Sequence, residues 1–118
     1  MGKTEQIGRR IINPEIENDL KTIAKKINEI LPESKVYLFG SYATGEQRRD
    51  SDIDICVVAP KYNEHRMEVL LTIRRAIRGV SKLPVDVLAF TDEEFESRRN
   101  RKPTIQYTIA NEGVLINV

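Results

Sequence analysis

Gly40 and Ser41 close a short apolar run, and ten residues later Asp52 and Asp54 open a second one (GSYATGEQRRDSDID, residues 40–54). Glycine lets a backbone come close to a phosphate, and a helical turn after it would offer free amides to anionic oxygens. Ser41 adds a hydroxyl donor, and Gly45 is placed to end that turn. Side chains alternate across a strand, so Asp52 and Asp54 would share one face with Cα atoms ~6.6 Å apart. Two carboxylates so placed repel one another, and a cation or a wet strand end makes the pair tolerable. A phosphate cradle beside such a pair points to phosphoryl or nucleotidyl transfer. Taken alone, the same residues also describe an ordinary strand-to-helix turn, a turn-capping Asp52 and a solvent-facing Asp54.

Asp86 interrupts another apolar run, Leu83 to Phe90. Charges are rarely buried without a partner, so it is either a third member of the acidic group or a solvent-facing residue of an edge strand. If its strand neighbours that of Asp54, three carboxylates converge, a hard oxygen set suited to Mg²⁺ or Mn²⁺. Two such ions can clamp the attacking and leaving oxygens of an in-line displacement. Asp52 and Asp54 would then bridge the metals, and Asp86 would hold the ion nearest the nucleophile or take its proton.

The elements that must position these residues follow from hydrophobic spacing. Asn13-Pro14 is a helix start, and Ile16, Leu20, Ile23, Ile27 and Ile30 recur at helical steps until Pro32. Val36–Phe39, Ile53–Ala59 and Val85–Phe90 read as strands, the middle one stopped by Pro60. Between the last two, residues 63–78 predict a helix with Met67, Leu70, Leu71, Ile73 and Ile77 inward and Gly79 as its stop. Thr91 and Glu94 form a capping box for a further helix. Residues 104–111 read as helical, Gly113 interrupts, and Val114–Val118 is a candidate edge strand. Alternating helices and strands predict an α/β fold, a small β-sheet flanked by helices. Residues 1–12 read as a loosely ordered lead-in and 13–118 as one domain.

Composition narrows the classes. With 118 residues, 40% hydrophobic and 31% charged, the chain has the make-up of a single globular domain. A net charge of +1 gives no global case for nucleic acid, and no apolar stretch reaches the ~20 residues of a membrane span. The single cysteine, Cys56, reads as a small buried hydrophobe and His65 as a surface residue. The lack of a disulfide framework and of a signal-like apolar core at the N-terminus fits a reducing, cytoplasmic compartment. Local basic pairs, including Arg74-Arg75 and Arg98–Lys102, read as solvated surface.

The wording GSYATGEQRRDSDIDICVV resembles the signature of the DNA polymerase β-like nucleotidyltransferases, and within them the minimal nucleotidyltransferase branch, often encoded beside a HEPN-domain partner. The resemblance covers residues 14–118 in element order, while its specific motifs occupy 40–54 and Asp86. It implies a mixed sheet of the polymerase β-like fold. It further implies that Gly40 and Ser41 hold ATP and that Asp52, Asp54 and Asp86 bind Mg²⁺. By the same resemblance the chain would move AMP onto a hydroxyl, a tyrosine, of a HEPN-type toxin and act as its antitoxin in a hetero-oligomer. Many members carry an arginine where this chain has Thr44, so Arg48 or Arg49 would have to contact phosphate instead; otherwise that pair is an exposed loop feature. Two other readings stand beside this one: an antitoxin that works by binding alone, and transfer to a small-molecule hydroxyl. Direct contact with nucleic acid is not expected.

Overall fold

The chain is described here by a computed structural model covering residues 14–116. The expected lead-in at 1–12, the helix cap at Asn13 and the last two residues of the expected edge strand lie outside the described residues.

Helix α1, Pro14–Ile30, buries Leu20, Ile23, Ala24 and Ile27 on one face. Ile16 is half-buried and Ile30 is 37% exposed, so the apolar stripe is shorter than its spacing predicts. The helix stops two residues before Pro32, whose ring disfavours helical backbone in the residue preceding it. Strands β1 (Lys35–Phe39), β2 (Ile53–Ala59), β3 (Val85–Thr91) and β4 (Val114–Ile116) form one mixed sheet in the order β3-β2-β1-β4. β2 pairs with β3 in parallel, and β1 pairs antiparallel with both β2 and β4. Parallel neighbours need a crossover, and helix α3, Arg66–Ile77, supplies it. Between β1 and β2 lies the one-turn helix α2, Ser41–Thr44. Helices α4 (Asp92–Arg98) and α5 (Ile105–Glu112) complete the order before β4.

β2 is the central strand and is buried on both sides. Ile53, Ile55 and Val57 face the larger core with Leu20, Ile23, Ile27, Val69 and Ile73. Cys56 and Val58 point the other way, into a smaller cluster with Phe95 of α4 and Ile109 of α5. At ~25 cal/mol per Å² of buried apolar surface, these two clusters are the main source of stability.

Two expectations for α3 fail. It begins at Arg66 rather than near Asn63, and Met67 and Leu71 are 62% and 46% exposed. Val69, Ile73 and Ile77, spaced in steps of four, form the buried seam instead. The segment carries two apolar stripes, and the sheet can cover only one. Gly79, with φ 79°, follows the helix as predicted. At the end of β3 the capping box forms: the Glu94 N–H donates to Thr91 Oγ1 at 3.2 Å, and the Thr91 N–H donates to Glu94 Oε1 at 2.9 Å.

Candidate active site

Three strand ends meet at one margin of the sheet: the C-terminal end of β1 and the N-terminal ends of β2 and β3. The parallel register sets Asp54 directly beside Asp86, and the antiparallel register sets Phe39 on the other side of Asp54. The neighbour relation that would bring the acids together is therefore present. Ile53 and Ile55, fully buried on the opposite face, fix the facing of Asp54.

Burial pushes the Asp54 carboxyl above the usual aspartate range, and the charges of Asp86 and then Asp52 push it further. Asp54 and Asp86 also stand within hydrogen-bonding reach of one another. Asp52 is the residue before β2 and is exposed. Asp86 is exposed as well, because β3 is an edge strand and its side chains alternate toward solvent. Its place in an apolar run thus reflects a half-covered strand rather than a buried charge. Among the described residues no three His, Cys, Asp or Glu side chains are already closed into a metal-holding group. What exists is the Asp54–Asp86 pair with Asp52 at its side. All their donors are oxygens, the set that a hard divalent cation prefers.

Gly40 connects this pair to the turn. Its backbone has φ 75° and ψ −153°, a region that residues with a side chain rarely adopt, and any Cβ there would collide with Asp54 Oδ2. The chain then enters α2, where the Ala43 and Thr44 N–H groups donate to Gly40 O at 3.0 and 3.2 Å. The first amides of a helix have no intrahelical acceptor, so those of Ser41 and Tyr42 are available to a ligand. The Ser41 hydroxyl, half-buried, has no hydrogen-bond partner among the described residues. Tyr42 and Ala43 are buried and hold the turn against the core. Gly45, with φ 83°, ends it as the spacing predicts.

The loop from Glu46 to Asp52 carries Arg48 and Arg49, both exposed. Ser51 folds it back, its N–H donating to Arg48 O at 3.1 Å while its Oγ accepts from the Arg48 N–H at 2.7 Å. Thr44 is used locally, its hydroxyl donating to Glu46 Oε1 at 2.8 Å. The Gln47 side-chain oxygen is buried in this loop without a hydrogen-bond partner among the described residues. Cys56 is fully buried, and burial pushes its thiol up to about 12, so it is packing rather than a nucleophile. His65 is exposed at the start of α3. Arg66 and Gln106, which sequence reasoning passed over, face a separate cavity discussed below. The three-residue spacing of Gln106 and Ile109 was the available sign that Gln106 points inward.

A glycine-led turn beside aligned carboxylates is an arrangement that can serve nucleotidyl transfer, and the chain is similar to proteins of that class. The family model described as "Nucleotidyltransferase domain" matches residues 20–116. A Methanocaldococcus jannaschii protein assigned as a protein adenylyltransferase is 33% identical over 75 residues, which are 60% of this chain and 75% of that protein. A chain from a toxin–antitoxin crystal structure with AMP-PNP is 26% identical, with a TM-score of 0.54 over 86% of this chain and 72% of that one. A crystal structure assigned to a nucleotidyltransferase of Sulfolobus solfataricus shares the fold, with a TM-score of 0.61 at 24% identity over 96% of this chain and 84% of that one. The chain belongs to the nucleotidyltransferase domain family, and its sheet is the mixed sheet of the polymerase β-like fold. It is a nucleotidyltransferase. Among the described residues no helix is long and apolar enough to cross a membrane.

Proposed function

We propose that the chain transfers AMP from ATP to a hydroxyl, a tyrosine, of a HEPN-type toxin and so acts as its antitoxin. The observation that carries this reading is the in-register Asp54–Asp86 pair packed against the bare backbone of Gly40. It makes the carboxylates and the phosphate turn one construction. The adenylyltransferase assignment of the M. jannaschii relative and the AMP-PNP in the toxin–antitoxin neighbour support the nucleotide and the acceptor class. The HEPN identity rests on the family resemblance of residues 40–54.

Asp52, Asp54 and Asp86 would hold magnesium, or manganese in its place. The bound ions would supply charge neutralisation for the triphosphate and the acceptor oxygen. The chain's own contribution is positioning. Ser41 Oγ and the leading amides of α2 receive phosphate oxygens, and Arg48 or Arg49 replaces the arginine missing at Thr44. Asp86, exposed at the rim, accepts the proton of the acceptor hydroxyl as the new phosphoester bond forms and pyrophosphate leaves. Placing these groups in advance lowers the barrier without covalent chemistry by the protein.

The test is incubation of the chain and the protein encoded beside it with α-labelled ATP and Mg²⁺. Label on the neighbour, lost in the Asp52→Asn, Asp54→Asn double variant, is expected. No transfer by the wild type while the two proteins bind would sink the reading. Neutralisation of the neighbour in cells by the double variant would leave binding alone as the biological role.

A further inference from the structure

At the far end of β3 from Asp86 lies a cavity of about 360 Å³, within the size range of small-ligand pockets. Its walls include Arg66, Phe90, Glu93, Glu94, Arg98 and Gln106. Two of these observations point to a ligand. Gln106 is only 5% exposed, yet its carboxamide has no hydrogen-bond partner among the described residues. With no protein partner among the described residues taking it up, this amide is open to the cavity, where a ligand's polar atoms can replace the water it otherwise meets. The second is charge balance. Arg66 is paired with Glu94 and lies over the Phe90 ring at 5.6 Å, and the walls also hold Arg98 and Glu93. Two arginines matched by two glutamates give no net field for a polyphosphate. A balanced set of donors and acceptors beside an aromatic wall suits a peptide, whose backbone alternates donor and acceptor.

The position within the fold adds the purpose. Phe90 and Asp86 are four residues apart on β3 and face the same side, which separates them by ~13 Å. β3 is an edge strand, with β2 as its only neighbour in the sheet among the described residues. An extended segment lodged in the cavity reaches the acidic margin in about four residues.

We infer that this cavity anchors an extended peptide segment of the acceptor protein, with its backbone amides on Gln106, and presents a hydroxyl some four residues further on to Asp86. This rests on the proposed transfer to a protein, and it assigns the acceptor's recognition site to a place separate from the nucleotide's.

The test is titration calorimetry of the neighbour-encoded acceptor protein against the full chain without nucleotide. Wild type, Gln106→Met, Arg98→Glu and, as a control on the opposite side of the sheet, Arg75→Glu are compared, with melting temperatures measured for each. We expect at least tenfold weaker binding for the two cavity variants, wild-type affinity for Arg75→Glu, and melting points that stay together. Label transfer should show the same loss as a raised KM for the acceptor, with the KM for ATP unmoved. Unchanged affinity in both cavity variants, or no binding by the wild type, would overturn the inference. If Gln106→Met fails to fold, Arg98→Glu decides, since Arg98 is exposed. Weakened binding without any transfer by the wild type would uphold the anchoring site and reject the enzymatic reading instead.

Discussion

The Asp54 carboxylate lies against the Cα of Gly40, in the space where any other residue would carry its Cβ. The turn that starts at Gly40 and the acidic pair are thus packed directly against one another. Gly40→Ala should suffer twice: from a positive φ that disfavours a side chain, at a cost of about 1–3 kcal/mol, and from displacement of Asp54. A lowered melting temperature should accompany a loss of transfer larger than the stability change explains, checked at a temperature where the variant remains folded. Wild-type turnover by this variant would show that the turn and the carboxylate are independent.

Asp54 carries a pH dependence whose sign can be worked out. Its folded pKa is raised, by burial first and by Asp86 and Asp52 next, so the folded state binds more protons than the unfolded state above the ordinary aspartate value. Stability from this group is present below that value and is lost as pH rises through the folded one. Metal-free Asp54→Asn should therefore melt at or above the wild-type temperature at neutral pH, and the difference should close as pH falls into the acid range. Mg²⁺ should raise the wild-type melting temperature and leave that of the variant unmoved. Thermal scans across pH, with and without metal, check both.

Much of this arrangement is legible in the sequence because it depends on local signals. The Gly-Ser turn, the strand Ile53–Ala59 and the Thr91–Glu94 cap are each written in a few adjacent residues, and each forms. Asp86 shows where local signals stop. Its alignment with Asp54 depends on strand order, and its exposure depends on β3 lying at the sheet edge. Helix α3 shows a second limit: Met67 and Leu71 compete with Val69, Ile73 and Ile77, and only the position of the sheet decides which stripe is buried. The open amide of Gln106 is of the same kind, since its lack of a partner is a property of the packed fold.

Arg48 and Arg49 should matter through the nucleotide rather than the fold. Both are exposed, and the loop is shaped by Ser51 backbone and hydroxyl contacts that do not use the guanidinium groups. Replacing both with alanine should raise the KM for ATP roughly three- to tenfold, as expected for loss of a charge-assisted phosphate contact of ~1 kcal/mol. The melting temperature should hold. The single variants then tell which arginine stands in for the one absent at Thr44, and equal KM values throughout would assign neither to the phosphate.

Asp86→Asn separates catalysis from architecture most cleanly. The residue is exposed on an edge strand, so the substitution should alter stability by no more than ~0.5 kcal/mol. As metal ligand or proton acceptor, its loss should lower transfer by about 100-fold or more. Removing its charge should also lower the pKa of Asp54, because Asp86 is the strongest neighbouring charge that raises it. Carbon-13 NMR of the Asp54 carboxyl reads that shift directly in the metal-free protein, independent of any activity. A downfield titration that moves to lower pH while turnover collapses would place both carboxylates in one coupled site. Turnover near the wild-type rate would mean that the register pairing of Asp54 and Asp86 serves the sheet alone.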